Sequence, residues 1–260
     1  MSGCKKVCVK RIPGTGITMK KRMGKALEKA IKGGDMREER LPVENPLLNR
    51  QRSRIYSFLT FRPLSSFSSA ARHLGVNVTT IRWHVEKLWG HGFVSFYESL
   101  PYPSGLVDAR DLPLLRALGS SAGTIFFYVV KNPGLTLGEI HKQVGFSYSR
   151  TSALVSELEN LGLVARVKDG HRTRVYPTEL YRERMENQHT VGRKHVENLI
   201  SRLRAGGIDV EVVKRGDLTV LVLRKGRVAT GLNIWTNPFL SLLEEFNKQL
   251  FERDYQDPSE

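Results

Sequence analysis

The sequence has 260 residues, of which 40% are hydrophobic and 26% are charged, an ordinary composition for a globular chain with two or three small domains. It contains no run of about 18 apolar residues, so a membrane span is excluded from the prediction. The formal net charge of +15 predicts an anionic partner.

The excess positive charge lies in the first two thirds of the chain. Lysine and arginine outnumber aspartate and glutamate by 12 to 5 in residues 1–44 and by 16 to 8 in residues 45–178, whereas residues 179–260 contain 13 of each. We therefore expect the first 178 residues to meet the anionic partner and the neutral remainder to do a different job.

Residues 1–45 are basic and are interrupted by prolines and glycines, a pattern that predicts a flexible arm. Within it, apolar residues at helical spacing between Arg22 and Lys32 predict a short basic helix. The two cysteines, Cys4 and Cys8, have no second pair with which to complete a metal site or a disulfide framework. No apolar leader opens the chain, so we expect a soluble, cytoplasmic protein.

An internal repeat is visible when residues 50–98 are laid over residues 120–168 at a constant shift of 70 without gaps. Each copy predicts a helix, a second helix, a turn that contains a glycine, a third helix and two strands. The coincidences include Ile55 with Ile125, Pro63 with Pro133, Gly75 with Gly145, Leu88 with Leu158 and Val94 with Val164.

The helix starts repeat as well. Ser66 and Thr136 are suitable N-caps for the second helix of each copy, and Thr136 has Glu139 three positions later, the spacing of a capping box. Asn77 and Ser147 are suitable N-caps for the third helices.

A hairpin is predicted to close each copy, with the first turning through residues 100–105 and the second through residues 169–172. A helix-turn-helix followed by a hairpin is the plan of a winged helix. The predicted fold class is therefore mainly α with small β-hairpins (α+β), with tandem winged-helix domains at residues 46–108 and 109–178.

Residues 179–260 are predicted to form a helix-hairpin-helix module. A long polar helix ends at Gly206, strands at residues 208–214 and 218–224 form a hairpin, and an amphipathic helix follows Pro238. Because this segment is neutral and amphipathic, we expect it to pair two copies of the chain as a homodimer or to bind another partner or an effector.

The third helices, residues 78–90 and 148–160, are the predicted recognition helices. In the first, Ile81, Val85 and Leu88 recur at helical spacing and are predicted to face the core. The major groove of DNA admits an α-helix presented by its N-terminal half. The side chains predicted to contact DNA are Thr79, Thr80, Arg82, Trp83, His84, Lys87, Tyr148, Ser149, Arg150 and Ser152.

Arg82 and Arg150 are the predicted base readers of the two helices, because the guanidinium fork can pair with guanine O6 and N7. The second wing is short, basic and glycine-tipped, as contact with phosphates requires, whereas the first has no cation. We therefore expect the first domain to contribute more to the choice of DNA site and the second domain to bind the DNA backbone more strongly. The predicted wing contacts are Lys168, His171, Arg172 and Arg174.

Residues 79–88 and 149–158, each followed by a Leu-x-x-x-Gly-Phe/Leu-Val ending, resemble archaeal winged-helix regulators. The first copy is ArsR-like and the second is MarR-like. The resemblance implies the winged-helix fold and double-stranded DNA as the partner, and it implies no effector ligand. The cysteines with which ArsR regulators bind metals are absent from the sequence, so metal sensing does not carry over.

No Ser/His/Asp grouping or carboxylate pair falls where predicted elements converge, so we expect no enzyme, metal or cofactor. The leading prediction is a transcriptional regulator bound to double-stranded DNA in the nucleoid. An architectural chromatin protein with little sequence preference stays open, because the arm is basic. A winged-helix protein-interaction adaptor or a replication initiator also stays open, although the charge of residues 45–178 argues against the adaptor.

Overall fold

The computed structural model describes residues 45–254, with side chains described up to residue 247. The predicted basic arm, apart from its last residue, and the short helix within it lie outside the described residues. Two short 3-10 turns lie at Pro46–Leu48 and at Ala109–Asp111.

The first unit, residues 50–103, contains three helices and an antiparallel hairpin. Its elements are α1 (Arg50–Phe61), α2 (Phe67–Leu74), α3 (Val78–Gly90), β1 (Val94–Tyr97) and β2 (Leu100–Pro103). The predicted caps are confirmed, since Ser66 accepts a hydrogen bond from the backbone of α2 and Asn77 accepts one from that of α3. Between these helices Gly75 has a φ of 68°, in the left-handed region that glycine adopts without a steric penalty.

The hairpin of the first unit does not turn where we predicted. Residues 100–103 form β2, and the turn consists of Glu98 and Ser99, whose φ angles are 47° and 67°. Two central residues with positive φ match the twist of a two-residue hairpin. Neither residue is Gly or Asn, the usual markers of this turn, and the prolines of β2 are tolerated because each strand of a two-stranded hairpin is an edge.

A linker helix, α4 (Leu112–Leu118), leads to the second unit, residues 121–177. The elements of the second unit are α5 (Ser121–Lys131), β3 (Leu135–Thr136), α6 (Leu137–Val144), α7 (Tyr148–Asn160), β4 (Val164–Asp169) and β5 (Arg172–Pro177). The bounds of α6 and α7 are those of α2 and α3 shifted by 70 residues. The predicted capping box is confirmed, because Thr136 and Glu139 exchange both hydrogen bonds.

The C-terminal segment contains one strand more than the predicted hairpin. Its elements are α8 (Leu180–Ala205), β6 (Asp209–Arg215), β7 (Leu218–Lys225), β8 (Val228–Trp235) and α9 (Pro238–Asp254). The three strands form an antiparallel sheet in chain order, and Thr230, Leu232 and Ile234 of β8 point into the core. The helix-hairpin-helix prediction is therefore corrected to a helix, a three-stranded sheet and a helix.

Two hydrophobic cores organise the described chain, and the C-terminal segment contributes to both. The core of the first unit includes Leu199 and Leu203 of α8 and the inner face of the β6–β8 sheet. The core of the second unit includes Tyr181 from the start of α8 and Phe239 from α9. Because α8 reaches from one core to the other, residues 179–247 complete both units rather than form a module of their own.

None of the described helices is by itself both long and apolar enough to cross a bilayer. Residues 109–118 and 121–131 reach that length and composition only together, as a pair of helices bent by 85°.

Candidate nucleic-acid interface

The helix α3 is anchored by an apolar stripe and presents a polar, exposed face. Ile81, Val85 and Leu88 are fully buried in the core of the first unit, as predicted. Thr79, Thr80, Arg82, Trp83 and Lys87 are exposed. The described structure therefore leaves five of the six predicted contacts of this helix available to a partner.

His84 is the exception, and its prediction as an outward residue is corrected. It follows Ile81 by three positions, so it falls on the inner stripe of the helix and is only 7% exposed. Burial, with a smaller contribution from the charge of Arg52, lowers the pKa of His84. A neutral, buried imidazole cannot serve as a cationic contact to DNA.

The exposed side chains of α3 contact neighbouring helices of the same unit. The guanidinium of Arg82 lies over the ring of Phe67, 5.5 Å from its centroid, at the flank next to α2. The indole of Trp83 lies between two cations, Arg52 of α1 and Lys87 of α3, each 5.7 Å from the ring centroid. Arg52 was not among the predicted contacts, because the sequence alone does not show that α1 begins beside α3.

The helix α7 presents a smaller set of polar groups. Tyr148, Ser149 and Arg150 are exposed and Ser152 is half-buried. Arg150 donates a hydrogen bond of 2.9 Å to Ser121 Oγ and lies 4.7 Å from the ring centroid of Phe146. Under the shift of 70 residues Arg150 corresponds to Thr80, not to Arg82, so the two arginines occupy different positions on their helices.

The second wing, residues 167–173 between and around the ends of β4 and β5, is an exposed basic loop. Lys168, His171 and Arg172 are exposed and take part in no ion pair with the rest of residues 45–247. Gly170 at the tip has a φ of 59°. The wing therefore presents the positive charges of Lys168 and Arg172 to a polyanion.

Arg174 differs from its neighbours, because its guanidinium forms hydrogen bonds within the second unit. It donates 2.7 Å and 2.8 Å hydrogen bonds to the carboxylate of Asp169 and to the carbonyl oxygen of Gly134. The hydrogen bond with Asp169 raises the pKa of Arg174. The side chain of Arg174, which was predicted to contact DNA, is thus half-buried. It links the end of β4 to the residue before β3 and so has a structural role.

The first wing faces inward instead. Tyr97, Leu100 and Tyr102 pack against the core of the second unit, and the tip residue Glu98 lies 3.8 Å from the guanidinium of Arg116 on α4. The wing of the first unit is therefore part of the contact between the units, as its lack of cations suggested.

Metal ligands are not clustered in the described part of the chain: residues 45–254 contain no group of three or more His, Cys, Asp or Glu side chains that could hold a metal ion.

The second unit has the element order and exposed third helix of a helix-turn-helix domain with a wing. Residues 114–174 match the MarR family. The chain is also 30% identical over 142 residues to an uncharacterised HTH-type transcriptional regulator of Methanocaldococcus jannaschii, a match that spans 54% of this chain and 36% of that protein. The chain thus covers about a third of the length of this curated relative. The family match therefore lies on the second unit, the part of the chain that has the helix-turn-helix arrangement.

Solved structures show weaker similarity. ScpB from Mycobacterium tuberculosis aligns with 17% identity over 51% of this chain and 93% of that chain, at a TM-score of 0.23. IdeR of T. acidophilum aligns with 9% identity over 74% of this chain and 96% of that chain, at a TM-score of 0.20.

Proposed function

We propose that this chain regulates transcription by binding double-stranded DNA through two winged helices, the first and second units, with α3 and α7 as recognition helices. The observation that carries the proposal is the exposed basic wing of the second unit beside the exposed start of α7. Such a pair can place a helix in the major groove and cations on the flanking phosphates. We place this activity on chromosomal DNA in the cytoplasm, without an enzymatic step or a cofactor.

In the second unit, we assign phosphate contacts to the wing and base contacts to the start of α7. Lys168 and Arg172 are charged, exposed and outside the ion pairs that residues 45–247 form, as contacts to a phosphate backbone require. Tyr148 and Ser149 lie in the first turn of α7, the part of a recognition helix that reaches base edges. Arg150 can join them once its guanidinium leaves Ser121.

Replacing Arg172 with alanine is expected to weaken DNA binding about tenfold on all sequences and to reduce the slope of log affinity against log salt by about one. The reason is the loss of one phosphate contact that carries no sequence information. Fluorescence anisotropy on a mixed-sequence duplex at several salt concentrations measures both quantities. Arg224→Ala is the matched control, because Arg224 is an exposed arginine of the C-terminal sheet that pairs with Glu211.

Arg174→Ala is not an equivalent test, since it also removes the hydrogen bonds that hold the wing. If Arg172→Ala and Arg224→Ala bind alike, the wing is not part of the interface. If the protein binds genomic fragments and random duplexes with equal affinity at the same salt, the architectural alternative replaces the regulator.

We also propose that two copies pair through residues 179–260, which are neutral and so do not repel a second copy. The apolar side chains of α8 and of the inner sheet face lie in the two cores, so the outer face of the β6–β8 sheet remains for pairing. Val213 is exposed there and pairs in register with Val220, beside the half-buried Val222. Sedimentation is expected to show a dimer, and a monomer over a wide concentration range would contradict this pairing.

A further inference from the structure

The exposed face of α3 is centred on Trp83, and its counterpart on α7 is different. Trp83 follows the buried Ile81 by two positions, about 200° around the helix, so it lies opposite the core. Its indole is 49% exposed, and in the described part of the chain the indole N–H donates to no acceptor. Exposing such a large aromatic side chain to water is unfavourable.

Two cations flank this indole, and neither forms an ion pair with a described residue. Lys87 lies one turn further along the same face of α3, and Arg52 reaches across from the first turn of α1. None of the ion pairs formed among residues 45–247 includes either cation, and the nearby Glu86 is exposed without an ion-pair partner. We define Arg52, Trp83 and Lys87 as the cation–indole cluster.

The cluster brings two positive charges together on one face of the first unit. Both charges lie near the same ring, and within residues 45–247 the buried Arg52 Nε has no acceptor. A buried donor that lacks a partner is unfavourable. An anion that binds across the cluster decreases the repulsion between the two cations and accepts hydrogen bonds from them.

The second unit lacks the cluster completely. At the shift of 70 residues, Arg52, Trp83 and Lys87 correspond to Ala122, Ala153 and Glu157. The helix bounds of α3 and α7 agree at this shift, so the replacements occupy the same places on the same framework. The cluster is therefore not required by the fold.

We propose that the cation–indole cluster binds the phosphodiester backbone of duplex DNA. This inference rests on the proposed function and adds a contact to it. Arg52 and Lys87 would each meet a phosphate, and the indole N–H would donate to the same strand. The first wing is packed against the second unit, so the cluster supplies to the first unit the phosphate contacts that the second unit makes with its wing. Each unit then contacts the phosphate backbone through its own cations. This revises our expectation that the second unit contributes more of the binding to the backbone.

The test compares variants on a mixed-sequence duplex and on selected genomic fragments, over about 50 to 200 mM salt. The double variant Arg52→Ala/Lys87→Ala is expected to lose about tenfold affinity per cation on both DNAs. Its salt slope should fall by about two, because two phosphate contacts are lost. Arg54→Ala is the matched control, since Arg54 lies on the same helix but hydrogen-bonds to Gln51 and Leu74 within the protein.

A second variant distinguishes the loss of a DNA contact from misfolding. Arg52→Ala/Trp83→Ala/Lys87→Glu introduces the residues that the second unit already carries on the same framework, and it should reproduce the loss with an unchanged circular dichroism spectrum. In addition, DNA should protect Trp83 from iodide quenching, measured as the difference between the unmodified protein and Trp83→Phe.

The outcomes separate this inference from the proposed function. If the double variant keeps its salt slope while Arg172→Ala loses affinity, the cluster does not contact phosphates although the protein binds DNA. If the loss is confined to the selected fragments, the cluster reads bases and the backbone assignment is overturned. If the unmodified protein binds no duplex at any salt concentration, the proposed function itself fails, and the inference fails with it.

Discussion

Replacing Gly192 with alanine is expected to lower the free energy of unfolding by about 3 kcal/mol or more. A Cβ atom at this position of α8 would lie 2.0 Å from the carbonyl oxygen and 2.8 Å from the carbonyl carbon of Thr236. Because both atoms belong to the backbone, no side chain can turn away, and α8 must separate from the segment that joins β8 to α9. Urea denaturation followed by circular dichroism measures the loss.

Gly138→Ala is the matched control for this substitution. Gly138 is also helical, but a Cβ there would meet just one atom, Thr136 Oγ1, at an ordinary contact distance of 3.9 Å. Alanine has the higher helix propensity, so this variant is expected to be neutral or to gain up to about 1 kcal/mol. Equal destabilisation by both variants would show that the close approach at Gly192 is not tight.

The second large effect is the pH dependence of stability that His195 confers. His195 of α8 is buried, and its Nε2 lies 3.0 Å from the hydroxyl of Tyr56 on α1. Burial lowers the pKa of His195 from 6.5 to about 4, opposed in part by a hydrogen bond with the backbone of Ser104. The folded protein therefore holds a neutral imidazole that accepts from Tyr56, whose own pKa is raised by burial.

Stability should fall as the pH falls from 6.5 to about 4. In that interval the unfolded chain binds a proton at His195 and the folded chain does not, so protons favour unfolding. The full shift corresponds to about 3 kcal/mol. Urea denaturation at stepped pH measures the dependence, and His195→Gln, which can still accept from Tyr56, should flatten it. If both proteins show the same pH profile, His195 is not the group responsible.

The fold could be predicted from sequence wherever local chemistry determines local structure. The internal repeat and the N-caps Asn77 and Ser147 located α3 and α7, because a cap fixes the first residue of a helix. The turn at Glu98 and Ser99 was missed because neither residue marks a positive φ. The strand β8 was missed because Gly231 and Asn233 resemble a loop, although its alternate residues are buried.

The candidate site was predicted less completely than the fold, because it depends on contacts between elements. Two arginines illustrate this: Arg52 was not predicted to belong to the site, whereas Arg174 was predicted to contact DNA and instead forms internal hydrogen bonds. The position of Arg52 beside Trp83 follows from the packing of α1 against α3, and the bond of Arg174 to Gly134 joins residues 40 positions apart. The burial of His84 was accessible from the sequence, since it lies on the same helical stripe as Ile81 and Leu88.

The packing of α8 against both cores also bears on how the chain is made. The first unit leaves the ribosome before the side chains that close its core, among them Leu203 and Ile234, which are synthesised 100 and 131 residues after its last residue. Until then the nascent first unit lacks the apolar side chains of α8 and of the β6–β8 sheet that share its core. We therefore expect folding to be largely post-translational, and chaperones to matter most before the C-terminal sheet emerges.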